Sequence, residues 1–258
     1  MKKWYLIPRS GWDLIKVLLH GPGSFVYRWQ LTKALAKLKW YLHLRGQDPT
    51  VEICLGDRCI TVFNESSTQF ILKEIWMEEV YRPQIPIDMK RLLDLGANVG
   101  LTSLFWRVQY GEADRHVALE PDGDIHSLLR ENLPELDVRW EAVGTESGFA
   151  KRFESENAGR VNARYRLSDE GETVKMVGIK ELLSEQFDLI KIDVEGAEWD
   201  ILNSVISDPD LLKRARYWMV EFHSREEHGA ELKDILKVFA LSGYHNLQKG
   251  DVMHFYHA

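Results

Sequence analysis

The sequence predicts an α/β fold in which helices cover both faces of a doubly wound, mostly parallel sheet. The main observation is that strand-like and helix-like segments alternate from residue 90 onward, which is the pattern of such a sheet. The chain has 258 residues, enough for one large α/β domain with an appendage or for two small domains. A glycine-containing loop, DLGANVG, follows the first strand of this region, and ligands of open α/β sheets bind at such strand ends.

Each element of the alternating region is predicted from its hydrophobic pattern and its boundary residues. Residues 145–178 are polar and contain several glycines, so loops or a short hairpin are expected there. Strands are expected at 91–95, 115–121, 137–144, 187–194 and 216–224, helices at 99–111, 122–134, 179–186, 197–206 and 225–244, and a closing hairpin at 245–258.

Residues 1–65 are predicted to form a basic helical cap followed by a β-hairpin, and residues 66–258 form the main domain. Residues 1–46 carry nine Lys or Arg and one acid, a net charge of 9 − 1 = +8. Because the whole chain has a net charge of −7, the remaining residues carry −7 − 8 = −15. Leu31, Leu35, Leu38 and Leu42 share one helical face. The favoured interpretation of residues 1–46 is a cap over the site; the alternatives are a dimerisation arm and an interfacial segment with aromatics at the lipid headgroups.

The two cysteines, Cys54 and Cys59, flank a turn at Gly56-Asp57, a pair suited to a type II′ hairpin. The cysteines should therefore lie opposite each other, where a disulfide is geometrically allowed. The opening of the chain is positive, but its apolar run is broken by charges and Pro8, so we expect a retained segment and a cytoplasmic protein. Reduced cysteines are the expectation in that compartment, and their spacing is not that of a zinc site.

The loop after the first strand is suited to a ligand that carries an ammonium group. Asp94 precedes Gly96 and Gly100 in a G-x-x-x-G spacing, which differs from the G-x-G-x-x-G of dinucleotide sites, and Asn98 stands where a glycine would be usual. Glu120 follows the second strand, placed to accept hydrogen bonds from ribose hydroxyls. Together these residues favour S-adenosylmethionine (SAM) over a plain strand-to-helix turn and over NAD.

The segment FDLIKIDVEGAEWDIL places three charges at alternate positions of a strand. Lys191, Asp193 and Glu195 therefore share one side of it, although strands in the middle of a parallel sheet are normally apolar on both faces. The next strand ends in Glu221 and His223. These groups should meet at one sheet edge, where they can serve the chemistry of a bound ligand.

The motifs LLDLGANVGLTS, VALEPD, EAVG and FDLIKIDVEGAEWDIL, in this order, resemble the FkbM-type SAM-dependent methyltransferases over about residues 90–225. The resemblance implies the class I methyltransferase (Rossmann-like) fold, with a seven-stranded sheet whose last strand is antiparallel. It also implies methyl transfer from SAM to a hydroxyl of a sugar or glycan, a glycolipid or a secondary metabolite. Cofactor binding falls on the matching residues, Asp94, Gly96, Ala97, Asn98, Gly100, Glu120, Pro121, Glu141, Ala142 and Asp193.

Methyl transfer to an alcohol needs a held acceptor oxygen, exclusion of water and a group that takes the hydroxyl proton. Asp193 is the first candidate catalytic residue, His223 the best base by its intrinsic pKa, and Glu195 and Glu221 can present carboxylates to a sulfonium. Lys191 is expected to neutralise an acid beneath the site, because a buried unpaired ammonium is costly. Glu198 and Asp200 lie in the first turn of a helix and are interpreted as structural.

A second mechanism uses a divalent metal on Asp193, Glu221 and His223 to lower the pKa of the acceptor hydroxyl, but the metal-free mechanism is favoured because the ligand spacing is loose. The net charge of −7 argues against nucleic acid as the main partner. Peripheral membrane contact through residues 1–46 and the oligomeric state stay open. Two other functions are kept: an NAD- or nucleotide-sugar-binding enzyme on the same fold, and a non-catalytic module that docks on membranes or partners.

Overall fold

The computed structural model describes residues 14, 18–19, 25–41, 49–153, 164–167 and 173–257, with side chains undescribed at 152–153 and 164–167. The predictions made for residues 1–13 and most of 15–24, and for Leu42, lie outside the described residues. No described helix is long and apolar enough to cross a membrane.

The described helices flank three sheets. Helices α1–α8 span Phe25–Trp40, Ser66–Trp76, Leu101–Tyr110, Gly123–Asn132, Ile179–Leu182, Glu198–Ile206, Pro209–Leu212 and Gly229–Leu241. Strands β1–β13 span Thr50–Leu55, Arg58–Phe63, Arg91–Leu95, Arg115–Leu119, Asp137–Arg139, Glu141–Gly144, Gly148–Phe153, Arg164–Leu167, Thr173–Gly178, Phe187–Ile192, Ala215–Glu221, His245–Lys249 and Val252–Tyr256.

The main sheet has seven strands in the order β12-β13-β11-β10-β3-β4-β5, and it confirms the predicted doubly wound α/β class. Strands β11, β10, β3, β4 and β5 pair in parallel, whereas the last strand, β13, pairs antiparallel with β11 and β12. The chain runs outward from β3 through β4 to β5 and then returns to the other side of β3 with β10. This reversal makes the β3–β10 boundary the point where an open α/β sheet binds ligands.

Two hydrophobic clusters cover the two faces of this sheet. One cluster joins α1, the β1–β2 hairpin, α2, α3 and α4 with inward residues such as Leu92 and Tyr217. The other joins α5 to α8 with residues such as Ile190 and Trp218. Helices on both faces explain why the central strands are apolar on both sides, so that Lys191 is exceptional among them.

The segment 137–178 differs from the prediction. The expected single strand 137–144 breaks at Trp140, so that β5 ends the main sheet and β6 begins a second sheet. Residues 145–178, expected as loops or a short hairpin, supply β7, β8 and β9 to that four-stranded sheet, in the order β6-β9-β7-β8. Its small buried cluster, Ala142, Ala150, Val174 and Met176, supplies too few apolar residues to be recognised in the sequence pattern.

The β1–β2 hairpin forms as predicted, with Cys54 opposite Cys59 and a two-residue turn at Gly56-Asp57. Gly56 has φ 65°, in agreement with the first turn position of type II′. The expectation of reduced cysteines is wrong, because the two sulfurs are joined in a disulfide across the strand pair, with Cα atoms 3.9 Å apart. Antiparallel partners approach closely enough for this bond, which the sequence allowed but did not require.

Helix α1 packs its leucine face on the hairpin and on α2, with Leu31, Leu35 and Leu38 buried. Gln30 fixes the hairpin turn, because its side chain both accepts from the Gly56 N–H and donates to the Gly56 carbonyl. The hydroxyl of Tyr27 donates to the Trp76 carbonyl oxygen, which ties α1 to the end of α2. The described part of the N-terminal segment is therefore packed onto the same core as the sheet.

Candidate active site

The loop between β3 and α3 crosses the end of β10 at the switch point. Gly96 has φ 77°, and a Cβ there would lie 1.8 Å from the backbone oxygen of Asp193, so only glycine fits. The N–H groups of Gly96 and Ala97 both donate to the Leu119 carbonyl oxygen, at 3.1 and 3.0 Å. The loop thereby joins the carboxyl ends of β3, β4 and β10.

Asn98 and Glu120 lie on the side of the loop that faces β4. Asn98 adopts a left-handed φ of 53°, which an Asn tolerates better than most residues, and its N–H donates to Glu120 Oε2 at 3.0 Å. The other carboxylate oxygen, Oε1, accepts from the Asp122 N–H at 2.9 Å. Burial raises the pKa of Glu120 to about 7, although these two backbone hydrogen bonds act in the opposite direction.

Lys191 and Asp94 form a buried ion pair beneath the loop. The Lys191 ammonium lies 3.1 Å from Asp94 Oδ1 and 3.4 Å from Asp193 Oδ2, and it donates to the Gly96 carbonyl oxygen at 2.9 Å. Burial alone would lower the pKa of Lys191, but the carboxylates of Asp94 and Asp193 raise it above the ordinary value. The charge in the middle of the sheet thus has the carboxylate partner that its burial requires.

Asp94 does not face an open site. Its side chain has no exposure, and its second oxygen, Oδ2, accepts from the Ser103 hydroxyl at 2.8 Å. The direct contact with a ligand ammonium group that the sequence suggests does not fit this geometry. Asp94 holds Lys191, and through Lys191 it holds the loop and Asp193.

The carboxylates of Asp193 and Glu221 are bridged by a tyrosine that the sequence did not identify. The hydroxyl of Tyr81 lies 2.7 Å from Glu221 Oε2 and 3.1 Å from Asp193 Oδ2. Burial raises the pKa of Tyr81 well above its ordinary value, and both carboxylates raise it further, so the hydroxyl keeps its proton. The Trp106 indole donates to the Tyr81 carbonyl oxygen at 2.8 Å and fixes the residue in place.

Glu221 is the most perturbed acid of this group. Burial and the neighbouring charge of Asp193 raise its pKa to about 7, whereas His223, the Tyr81 hydroxyl and Lys191 act to lower it.

His223 is held from behind by a buried carboxylate. Glu198 Oε1 accepts from the His223 backbone N–H at 2.6 Å and lies 3.0 Å from Nδ1, and Glu198 Oε2 accepts from the Gly196 N–H at 2.7 Å. Glu198 has no exposure, so its interpretation as an ordinary acid of the first helical turn is incomplete. The sequence predicted that Glu198 lies in the first helical turn, but it did not predict its partner His223, 25 residues away.

The free edge of the His223 ring faces acids. Nε2 lies 3.5 Å from Glu195 Oε2 and 3.8 Å from Glu221 Oε1. Burial lowers the pKa of His223, but the bond to Glu198 and the charges of Asp193 and Glu195 outweigh it and raise the pKa to about 9. In this state the ring is protonated at neutral pH, so it does not act as the free base that its intrinsic pKa suggested.

Glu195 reaches His223 because the strand has already ended. Strand β10 stops at Ile192, and Glu195 adopts φ 55° in the following turn. The predicted alternation of charges on one strand face thus holds for Lys191 and Asp193, whose side chains contact each other, and does not extend to Glu195.

Gly100 directly precedes α3, whereas Pro121, Glu141 and Ala142 lie on the β4–β6 side. The Pro121 carbonyl oxygen accepts from the Trp140 indole at 2.9 Å, and Trp140 is 57% exposed beside Gly123. Glu141 forms an ion pair with Lys175 at 2.5 Å, and Ala142 is buried in the second sheet. Of these residues, Pro121 lies at the switch-point edge, directly after Glu120 and the end of β4. Trp140, which the sequence placed inside a continuous strand, is an exposed aromatic side chain between β5 and β6.

The family model for the methyltransferase FkbM domain matches residues 94–246, more than half of the chain. The chain belongs to the FkbM methyltransferase family. The match spans the switch-point loop, both acidic strand ends and the α8 helix, so the site residues described above fall inside the family region, except Tyr81, which precedes it.

Individual relatives are distant from this chain. A curated relative, the AMB antimetabolite synthetase AmbE of Pseudomonas aeruginosa, is 28% identical, and the match covers 69% of this chain but 10% of that protein. Methyltransferase FkbM from Methylobacillus flagellatus is 14% identical with TM-score 0.49, covering 94% of this chain and 58% of the other. Fibrillarin from Aeropyrum pernix, solved with natively bound S-adenosyl-L-methionine, is 12% identical with TM-score 0.40, covering 69% and 70%.

Proposed function

We propose that this FkbM methyltransferase transfers the methyl group of SAM to a hydroxyl oxygen of a sugar or glycan, a glycolipid or a secondary metabolite. The observation that carries the proposal is the position of Asp193. Its backbone packs against Gly96 of the loop, while its side chain meets Tyr81 and, through it, Glu221 at the end of β11. One residue therefore joins a donor half over β3 and β4 to an acceptor half over β10 and β11.

The donor half suits a ligand with a ribose and no phosphate. Glu120 holds two backbone N–H groups, and each carboxylate oxygen retains a lone pair that a ribose hydroxyl can use. Acids at this edge would repel a pyrophosphate, which dinucleotide sites receive on a glycine-rich helix N-terminus. SAM carries a sulfonium, an amino acid group and an adenosine, and this composition matches an acidic, phosphate-free site.

The acceptor half suits an in-line displacement. The new bond forms between the acceptor oxygen and the methyl carbon, the carbon–sulfur bond breaks with its electron pair on sulfur, and the hydroxyl proton passes to a carboxylate of the Asp193–Glu221 pair. Tyr81 keeps the two carboxylates together, and His223 balances their charge. The negative potential of this group also favours a sulfonium cation over a neutral ligand.

The test is a calorimetric titration of the protein with SAM and, separately, with NADH. We expect saturable SAM binding and no NADH binding. An extract incubated with protein and SAM should then contain a product heavier by one methylene, seen by mass spectrometry. Binding of NADH in place of SAM would favour an NAD- or nucleotide-sugar-binding enzyme, and binding of neither would favour a non-catalytic module.

A further inference from the structure

The acceptor half, together with the Lys191–Asp94 pair beside it, holds more negative than positive charge among the described residues. Lys191 is shared between Asp94 and Asp193, and His223 is shared among the three glutamates around it. Five carboxylates thus face two cations. The carboxylates are those of Asp94, Asp193, Glu195, Glu198 and Glu221.

Two of these carboxylates and the His223 ring carry metal-ligand atoms that lie close together. Asp193, Glu221 and His223 each offer one ligand atom, and the three atoms lie within 4.8 Å of one another. All three side chains are partly exposed, at 25%, 25% and 19%, so an ion and a substrate can reach them. The excess negative charge and the shared focus favour a cation.

The way His223 is held is a second, independent observation. A histidine that ligates a metal generally donates its other ring N–H to a carboxylate, which fixes the ring. Here Nδ1 lies 3.0 Å from the buried Glu198, and Nε2 faces Glu195 at 3.5 Å and Glu221 at 3.8 Å. Glu198 has no exposure and accepts three N–H groups, which is more than the start of a surface helix requires.

We propose that Asp193, Glu221 and His223 bind a divalent first-row cation of the Mn²⁺ kind in the acceptor half, where the ion takes the place of the proton on His223 Nε2. Carboxylates suit Mg²⁺ and Mn²⁺, imidazole suits the first-row transition metals, and Mn²⁺ accepts both. Three protein ligands leave coordination positions for oxygen. The role of the ion rests on the proposed function: it would coordinate the acceptor hydroxyl and lower its pKa, and with the ion bound the proton would pass to Glu195, the nearby carboxylate outside the ligand set.

The test is a titration of the SAM-free protein with Mn²⁺, followed by electron paramagnetic resonance of the free ion. We expect one Mn²⁺ per chain, and we expect His223→Ala and Glu221→Gln each to abolish saturable binding. Glu198→Gln removes the residue that orients the ring and should weaken Mn²⁺ binding about 10-fold to 100-fold. Thermal melting of each variant shows whether the fold is intact.

Glu52→Gln is the matched control. Glu52, Cys54 and Cys59 form the other described group with metal-ligand geometry, but its sulfurs are joined in the disulfide and offer no thiolate. We expect this variant to bind Mn²⁺ as the unaltered protein does.

The proposal is overturned if the protein shows no saturable Mn²⁺ binding, or if binding survives both His223→Ala and Glu221→Gln. Titration of the same preparation with SAM separates the two proposals. SAM binding without Mn²⁺ binding removes the metal site and leaves the methyl-donor site, and the reverse result removes the donor proposal alone.

Discussion

Asp193 decides the chemistry at the scale of single residues. In the proposed mechanism its carboxylate lies where the donor and acceptor halves meet, and the amide of Asn has nearly the same shape without the charge. We expect Asp193→Asn to fold normally, to retain SAM binding and to lower turnover by about 10²-fold to 10⁴-fold. Calorimetry with SAM and the rate of methylated product formation measure the two effects. Turnover at the normal rate would remove Asp193 from the mechanism.

Tyr81 should act on the same step through position. Its hydroxyl is the hydrogen-bond donor that bridges Asp193 and Glu221, and Phe would leave two close carboxylates without it. Because a hydrogen bond to a charged group contributes about 1.5–3 kcal/mol, we expect Tyr81→Phe to lower kcat about 10-fold to 100-fold. SAM affinity, set in the donor half, should stay within a small factor. An unchanged kcat would show that the bridge has no part in catalysis.

At the scale of elements, the β3–α3 loop is the part with the least tolerance for change. Gly96→Ala would place a Cβ 1.8 Å from the backbone oxygen of Asp193, the residue after β10. A backbone atom cannot move away as a flexible side chain could. Gly111→Ala is the control, because Gly111 also has positive φ, 89°, but meets nothing within 4 Å. The control should cost about 1–3 kcal/mol of backbone strain.

We expect Gly96→Ala to lower the free energy of unfolding by clearly more than the control does, and to weaken SAM binding as well. Urea denaturation of the two variants gives the comparison. Equal losses in both would mean that the loop and β10 are not packed as closely as described.

Helix α1 offers a second contrast between buried and exposed positions. Leu35 is 1% exposed, whereas Phe25 is 61% exposed and Trp29 47%. Leu35→Ala should cost about 2–5 kcal/mol of unfolding free energy, and Trp29→Ser should cost little. Thermal or urea unfolding of both variants measures this, and equal costs would contradict the packing of α1.

Peripheral membrane contact through residues 1–46 stays a prediction. Helix α1 exposes Phe25, Trp29 and Trp40, and Lys33 lies over the Trp29 ring, a composition found on interfacial helices. Co-sedimentation of the chain, with and without residues 1–46, with anionic liposomes tests it. Equal recovery of both forms in the supernatant would favour the cap.

The sequence predicted the elements whose pattern is local and repeated. The order of strands and helices from 91 to 132 and from 187 to 256, and the turn at Gly56-Asp57, follow from hydrophobic period and turn residues. The second sheet was missed because few of its residues are apolar. Tyr81 was missed for a different reason: it lies between α2 and β3, and its partners are 112 and 140 residues away. The local sequence pattern predicts which residues are buried, but it does not predict which distant residue each of them contacts.

At the scale of the whole molecule, His254 links the edge of the main sheet to the chain before β3. It has no exposure, and Nε2 donates to the Val80 carbonyl oxygen at 2.8 Å; in the neutral ring that burial favours, Nδ1 accepts from the Tyr217 hydroxyl at 2.9 Å. The ring is therefore neutral in the folded protein. Burial lowers its pKa to about 4, the bond to Val80 acts in the opposite direction, and Lys249 lowers it slightly further.

The sign of the pH effect follows from this lowered pKa. Between pH 6.5 and about 4 the unfolded chain binds a proton at His254 and the folded chain does not, so this residue's stabilising contribution is lost as pH falls. Glu120 and Glu221 act in the opposite direction, because their raised pKa values let the folded state take protons first. The pH dependence of the total unfolding free energy therefore does not isolate the contribution of His254. The difference in unfolding free energy between the unaltered protein and a His254 variant does.

We expect the unfolding free energy of the unaltered protein minus that of His254→Gln to fall by about 3 kcal/mol from pH 7.5 to pH 4.5, since each pKa unit corresponds to about 1.4 kcal/mol. His245→Gln, at an exposed position on β12 of the same hairpin, is the control, and its difference should stay nearly constant over that interval. Urea denaturation at a series of pH values gives both curves. Parallel curves for the two variants would mean that the His254 ring is charged or solvated in the folded state, and the hydrogen bonds that join the sheet edge to Val80 would then need another arrangement.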